Sequence, residues 1–83
     1  MSRQRSIETI ENAEYVTIGE LVRLTGVRYS TLKFYSEEGI LSFEQDDINL
    51  TRRYNREVTL KKISTIKELK EKGLTIPEIK EYF

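Results

Sequence analysis

Residues 17–41 read TIGELVRLTGVRYSTLKFYSEEGIL and carry the clearest structural signals in the chain. Thr17 and Glu20 have the spacing of a capping box, which predicts the start of a helix. Gly26 interrupts that helix, and Gly39 follows a second helical segment at the position where a left-handed glycine commonly ends a helix. Two short helices joined by a tight turn that contains glycine form a helix-turn-helix.

The rest of the chain extends this motif. Residues 41–54 hold two short apolar segments around a polar loop and predict a β-hairpin, or wing. A helix is predicted over about 57–72, where apolar residues recur every three positions, and Thr75 and Glu78 form a second capping box that starts a last helix. We therefore predict a mainly α fold with a small β-hairpin: a winged helix-turn-helix with four helices plus a wing.

The composition argues against several classes of function. The chain has 83 residues, enough for one small domain with a thin core. It has no cysteine and no histidine, which argues against disulfides, transition-metal sites and thiol or imidazole catalysis. The adjacent Asp46 and Asp47 are interpreted as turn residues. We therefore predict that the chain is not an enzyme, holds no metal or cofactor, and binds no small molecule in this domain.

Two features concern the limits of the domain. Residues 1–14 lack a strong apolar period and are predicted to form a mobile or loosely docked N-terminal leader, ahead of a domain over 15–83. Because no apolar stretch approaches the roughly 20 residues that span a bilayer, we expect a cytoplasmic protein. The sequence ends in mid-helix on Tyr82 and Phe83. We expect a fragment of a longer protein, or a last helix that packs on a partner.

Three segments together resemble the DNA-binding domain of the MerR family of bacterial regulators. They are YVTIGELVRLTGVRYSTLKFYSEEGIL at 15–41, RRYN at 52–55 and IKELKEKGLTIPEIKEYF at 66–83. The resemblance implies sequence-specific binding of double-stranded DNA by the N-terminal part of a bacterial transcriptional regulator. It also implies a homodimer formed through a C-terminal coiled coil that is missing from this sequence. Domains of this type also occur in plasmid or chromosome segregation and excision proteins, which is the alternative role.

The sequence departs from the family pattern in the wing and in the second helix. The loop tip is acidic and lacks glycine, Arg28 replaces a small polar N-cap, and Lys33-Phe34-Tyr35 stands where Arg-Tyr-Tyr is common. With Leu32 taken as the core direction, Lys33 lies at about 100° and Phe34 at about 200° around the helix. Both therefore point outward, whereas Tyr35 lies at the edge of the core.

The first residues of a recognition helix usually reach the base edges. The candidate DNA-binding residues on this helix are Arg28, Tyr29, Ser30, Thr31, Lys33, Phe34 and Tyr35. The wing adds Arg52, Arg53 and Tyr54 as phosphate or minor-groove candidates. Strand alternation sends Arg53 to the face opposite Arg52 and Tyr54. We therefore expect one arginine to contact the DNA backbone and the other to pair with an acid of the loop or of the next helix.

Ordinary structural roles compete with each of these assignments. Phe34 packs under the hairpin in the simplest alternative, Arg28 covers apolar surface with its stem, and Lys33 is merely solvated. For Tyr29, a packing role and a phosphate contact are equally open alternatives. The net charge of zero, from 14 basic and 14 acidic residues, predicts weak binding by a single copy. The rival from another class is a protein-interaction module that docks through Phe34 and the terminal aromatic pair.

Overall fold

The structure is a computed structural model that describes residues 4–47 and 50–83. The helices and strands occur in the order α1 (Ile7–Asn12), β1 (Tyr15–Val16), α2 (Ile18–Thr25), α3 (Tyr29–Glu37), β2 (Tyr54–Asn55), α4 (Arg56–Glu71) and α5 (Ile76–Tyr82). This mainly helical architecture with a two-stranded antiparallel sheet confirms the predicted fold class. Met1 to Arg3 of the predicted leader, and Ile48 and Asn49 of the predicted loop, lie outside the described residues.

Helix α2 begins at the predicted capping box. The Thr17 side chain accepts a hydrogen bond from the Glu20 backbone N–H at 3.2 Å, and a Glu20 carboxylate oxygen accepts one from the Thr17 backbone N–H at 2.9 Å. The helix ends at Gly26, whose φ of 74° is left-handed and whose N–H donates to the carbonyl of Val22 at 2.8 Å. Because Gly26 tolerates this conformation, the chain turns at once into α3. The helix-turn-helix is thus confirmed.

The wing is paired differently from the prediction. Strand β2 does not pair within residues 41–54: Tyr54 lies opposite Val16 of β1, and Asn55 lies opposite Tyr15. The loop is closed instead by an isolated bridge between Glu44 and Arg53, whose backbone groups exchange hydrogen bonds of 2.7 and 2.8 Å. The β1 pairing places two buried side chains side by side, which the acidic loop cannot do. As far as the loop is described, the predicted two-stranded hairpin is therefore a loop closed by the bridge between Glu44 and Arg53.

The core draws on every helix and on both strands. Its buried apolar residues are Ile10, Val16, Leu21, Leu32, Tyr35, Ile40, Leu41, Tyr54, Ile63, Ile66, Leu69 and Ile79. The apolar residues that recur every three positions in α4 are Leu60, Ile63, Ile66 and Leu69. The last three belong to this core, and Leu60 is half-buried against it. Within the described part of the chain, no helix is both long enough and apolar enough to cross a membrane.

Helix α1 is an element that the sequence analysis did not predict. It brings the helices of the described residues to five, against four predicted. Its Ile10 is fully buried, and the Arg5 guanidinium just before it donates to both carboxylate oxygens of Glu20 at 2.6 and 2.7 Å. Arg56 of α4 donates to the carbonyl of Ala13 at 2.8 Å. Residues 5–13 therefore pack on the domain, while the division of the chain at residue 14 stays a prediction.

We predict that Ile10→Ala lowers the free energy of unfolding by about 2–4 kcal/mol, because it deletes buried methyl and methylene groups and leaves a cavity. Ile7→Ala is the matched control, since Ile7 lies on the same helix and is 43% exposed. It should change stability by less than about 0.5 kcal/mol. Urea denaturation followed by circular dichroism measures both. Equal, small effects would mean that α1 is not docked in solution.

We also predict that the contact between Arg5, just before α1, and Glu20 of α2 weakens in acid. The hydrogen bond from Arg5 is the main cause that holds the pKa of Glu20 below its ordinary value of 4.5. A lowered pKa in the folded state stabilises the fold above the unfolded pKa and loses that effect as the pH falls through the folded one. The stability difference between wild type and Arg5→Met should therefore be largest near neutral pH and shrink below about pH 4.5. A difference that is constant with pH, in thermal melts across this range, would contradict it.

Candidate nucleic-acid interface

A groove lies between α3 and the loop that precedes β2. Its cavity volume is about 330 Å³. It is lined by Ile18, Tyr29, Lys33, Gln45, Leu50, Thr51 and Arg52. The groove thus brings together three residues that the sequence analysis selected from two separate segments: Tyr29 and Lys33 of α3, and Arg52 of the wing.

The outer face of α3 carries most of the predicted helix residues. Tyr29 is 55% exposed and Phe34 is 45% exposed. Arg28, Ser30 and Lys33 are also exposed, and Thr31 is half-buried. Within residues 4–47 and 50–83, neither Arg28 nor Lys33 forms an ion pair with a carboxylate. Arg28, at the N-cap of α3, and Lys33 within the helix therefore offer two cations to an external anion.

Two of the predicted site residues are buried, which corrects the expected surface position of Tyr54 and places Tyr35, expected at the edge of the core, inside it. Tyr35 is 4% exposed and Tyr54 is fully buried. The Ser36 hydroxyl donates to the carbonyl of Leu32 at 2.9 Å, so the Tyr54 hydroxyl is the donor in its 2.7 Å hydrogen bond to Ser36. Tyr54 was misplaced because β2 pairs with β1, which turns its ring toward α3. Tyr35 lies only about 60° from Leu32 around the helix, close enough to share its buried side.

The two wing arginines both form ion pairs within the chain. Arg52 donates to a carboxylate oxygen of Glu37 at 2.8 Å, and its guanidinium carbon lies 4.4 Å from the centre of the Phe43 ring. The hydrogen bond to Glu37 is the main cause that raises the pKa of Arg52. Arg53 lies 3.6 Å from a carboxylate oxygen of Asp46. We expected one such pair; the second, to Glu37, joins the wing to α3.

Charge is distributed unevenly over this face. The wing holds Arg52 and Arg53 among the acids Glu44, Asp46 and Asp47, and Glu37 of α3 adds a further carboxylate. The Tyr15 hydroxyl donates to Glu44 at 3.3 Å, and the nearby carboxylate charge raises the pKa of Tyr15. The wing therefore carries a net charge of −1, and the exposed cations of this face that lack an ion pair within the described residues, Arg28 and Lys33, lie at and near the start of α3.

Sequence reasoning missed several residues that line the groove. Gln45 lies at the loop and donates from its amide to the carbonyl of Leu50 at 2.7 Å, and Leu50 is 53% exposed. Neither residue belongs to a motif, so only the folded loop reveals their position. Among the described residues, no group of three or more histidine, cysteine or acidic side chains is arranged to hold a metal ion. The geometry suits the recognition of an anionic surface by α3 with the wing beside it.

Comparisons with known proteins agree with this geometry. A sequence model described as "MerR HTH family regulatory protein" matches residues 16–83. An "HTH-type transcriptional activator SoxR homolog" of Chromobacterium violaceum is 33% identical over 64 residues, which cover 77% of this chain and 42% of the relative. The chain thus spans less than half the length of that relative. No solved structure matches the chain with significance.

We predict that Tyr54→Phe lowers the free energy of unfolding by about 1 kcal/mol, because it removes one buried hydrogen bond to Ser36 while keeping the ring in place. Tyr29→Phe is the control, since its hydroxyl makes no hydrogen bond within the described residues and the side chain is largely exposed. Thermal melts of both variants measure the difference. A larger loss for Tyr29→Phe would contradict the assignment of Tyr54 to the core.

Proposed function

Because the chain belongs to the MerR family of helix-turn-helix regulatory proteins, we propose that it binds double-stranded DNA sequence-specifically, with α3 as the recognition helix in the major groove. The observation that carries this proposal is the exposed first half of α3. There Arg28 and Lys33 form no ion pair within the described residues, and Tyr29 and Ser30 lie beside them. Such a surface matches the chemistry of phosphates and base edges.

The residues of α3 suit different parts of the duplex. Tyr29, Ser30, Lys33 and Phe34 are three or four positions apart in pairs, so helix geometry gathers them on one side. Lys33 and Arg28 can donate to guanine N7 and O6, and Ser30 can either donate to or accept from a base. The exposed ring of Phe34 can contact a thymine methyl group. Base contacts of this kind specify sequence, whereas phosphate contacts fix register.

Two copies acting together give the proposed function its affinity. The chain has no net charge, so the electrostatic part of its binding is modest. Joining two domains on two half-sites makes the second contact intramolecular and raises the overall affinity. We propose that the complete protein is a homodimeric transcriptional regulator in the cytoplasm, with its dimerising coiled coil in a part not included in this sequence.

The test begins with a duplex selected by the chain from a random-sequence pool, and a shuffled duplex of the same composition. We predict that fluorescence anisotropy shows binding at low salt that weakens as salt rises. With about four to six phosphate contacts, log K should fall with log[salt] with a slope of about −4 to −5. Lys33→Ala should lower the affinity for the selected duplex by at least about 1 kcal/mol.

Lys70→Ala is the matched control, since it removes the same charge from an exposed position in the last turn of α4. Because a distant, exposed charge is largely screened by salt, Lys70→Ala should weaken binding less than twofold, or by less than about 0.4 kcal/mol. Equal losses for the two variants would mean that the chain responds to charge alone and that α3 reads no sequence. Binding that is absent or insensitive to salt would favour a protein-interaction module instead.

A further inference from the structure

The two wing arginines are held in different ways, although they are adjacent in the sequence. We propose that Arg52 is a positioning residue that fixes the wing against α3, and that Arg53 is the residue of the wing that contacts a DNA phosphate. This division of roles rests on the proposed DNA-binding function. It goes beyond that function because it assigns Glu37, an acid on the DNA-facing side of α3, a favourable part in binding.

Arg52 is restrained on two sides. One of its terminal nitrogens lies 2.8 Å from Glu37, and its guanidinium lies over the Phe43 ring at 4.4 Å from the ring centre. The side chain is only 27% exposed. A planar guanidinium that both stacks on an aromatic ring and pairs with a carboxylate is fixed in position and orientation. To reach a phosphate with its paired edge, Arg52 would have to give up the Glu37 contact.

The same cluster joins both sides of the wing to the end of α3. Phe43, on one side of the loop, packs against Tyr54 with ring centres 5.7 Å apart, and the Tyr54 hydroxyl is bonded to Ser36. We call Ser36, Glu37, Phe43, Arg52 and Tyr54 the wing clamp. Ser36 and Glu37 are consecutive in the last turn of α3, so the two clamp contacts leave the helix in different directions. The clamp therefore sets the position of the wing relative to the recognition helix.

Arg53 has a fixed backbone and a loosely held side chain. Its backbone N–H and carbonyl are both bonded to Glu44, at 2.8 and 2.7 Å. Its side chain is 50% exposed and lies 3.6 Å from Asp46, which is itself 77% exposed. An exposed pair of this kind is weak, whereas an arginine can bind a phosphate with two charge-assisted hydrogen bonds. Arg53 can therefore exchange Asp46 for a phosphate without disturbing the loop.

These two arrangements predict that removing one negative charge changes the affinity for DNA in opposite directions, depending on which acid is removed. Removing an acid near a duplex should strengthen binding if Coulomb repulsion alone mattered. Asp46→Asn removes such an acid and also frees Arg53, so it should tighten binding. Glu37→Gln also removes an acid but loosens Arg52 and hence the wing, so it should weaken binding to the selected duplex. Glu37 and Asp46 are both exposed, so neither variant should impair folding.

The experiment measures the affinity of the full chain for the selected and shuffled duplexes of the preceding test. We expect Glu37→Gln to bind the selected duplex about two- to fivefold more weakly, and Asp46→Asn about two- to fivefold more tightly, in line with exposed ion pairs. Arg53→Gln should reduce the salt slope by about 0.9, the contribution of one phosphate. Arg52→Gln should keep the salt slope but lower the preference for the selected over the shuffled duplex.

Tighter binding by Glu37→Gln would overturn the proposal, because it would mean that Glu37 merely repels DNA or competes for Arg52. Loss of salt slope in Arg52→Gln but not in Arg53→Gln would overturn it as well. The double variant Glu37→Gln/Arg52→Gln should bind like Arg52→Gln alone, since both changes open the same contact. Binding of neither duplex by the wild type would instead contradict the proposed function, whatever the variants do.

Discussion

The helical period of α3 determines both how this helix packs and which side chains it exposes. Leu32, Tyr35 and Ser36 are buried on one side of this nine-residue helix. Because successive residues turn by about 100°, burying these three leaves Phe34 on the opposite side and Lys33 on the flank of the helix between the two sides. The residues that fasten α3 to the core thus also decide which side chains it can present. A recognition surface on so short a helix requires this fastening, since an isolated helix of such length is barely stable in water.

Helix α3 is fastened at its end as well as along its length. The wing clamp attaches to Ser36 and Glu37, while the other end of α3 follows directly on the left-handed turn at Gly26. The position of the wing is therefore fixed by contacts with the last turn of α3, and the position of α2 is fixed by the turn that leads into the start of α3. On the proposed mode of binding, this rigidity keeps the helix and the wing at a fixed separation. A duplex then meets a prearranged surface and need not order it.

The sequence predicted the features that depend on neighbours along the chain. The capping box of α2, the start of α5 at Thr75, the glycine turns and the exposed side of α3 follow from residues one to four positions apart. Helix α1 escaped prediction because a single buried residue, Ile10, gives no apolar period. The pairing of β2 with β1, and of Arg52 with Glu37, joins residues that are distant in sequence. Such contacts depend on which residues the folded core brings together. Neither the burial of Tyr54 nor the wing clamp could therefore be predicted from spacing along the sequence.

The acidic loop gains a physical explanation from these contacts. Binding to DNA by charge alone is insensitive to sequence, and a strongly basic wing would strengthen binding to every site equally. The pairing of Glu37 with Arg52 and of Asp46 with Arg53 reduces this general attraction while leaving Lys33 of α3, and Arg28 just before it, available. What a regulator requires is the ratio between its own site and the many other sites of a genome. In a chain of zero net charge, general attraction to DNA contributes little. On the proposed mode of binding, discrimination comes from the fit of α3 and the wing to the duplex, which the contact between Glu37 and Arg52 would maintain.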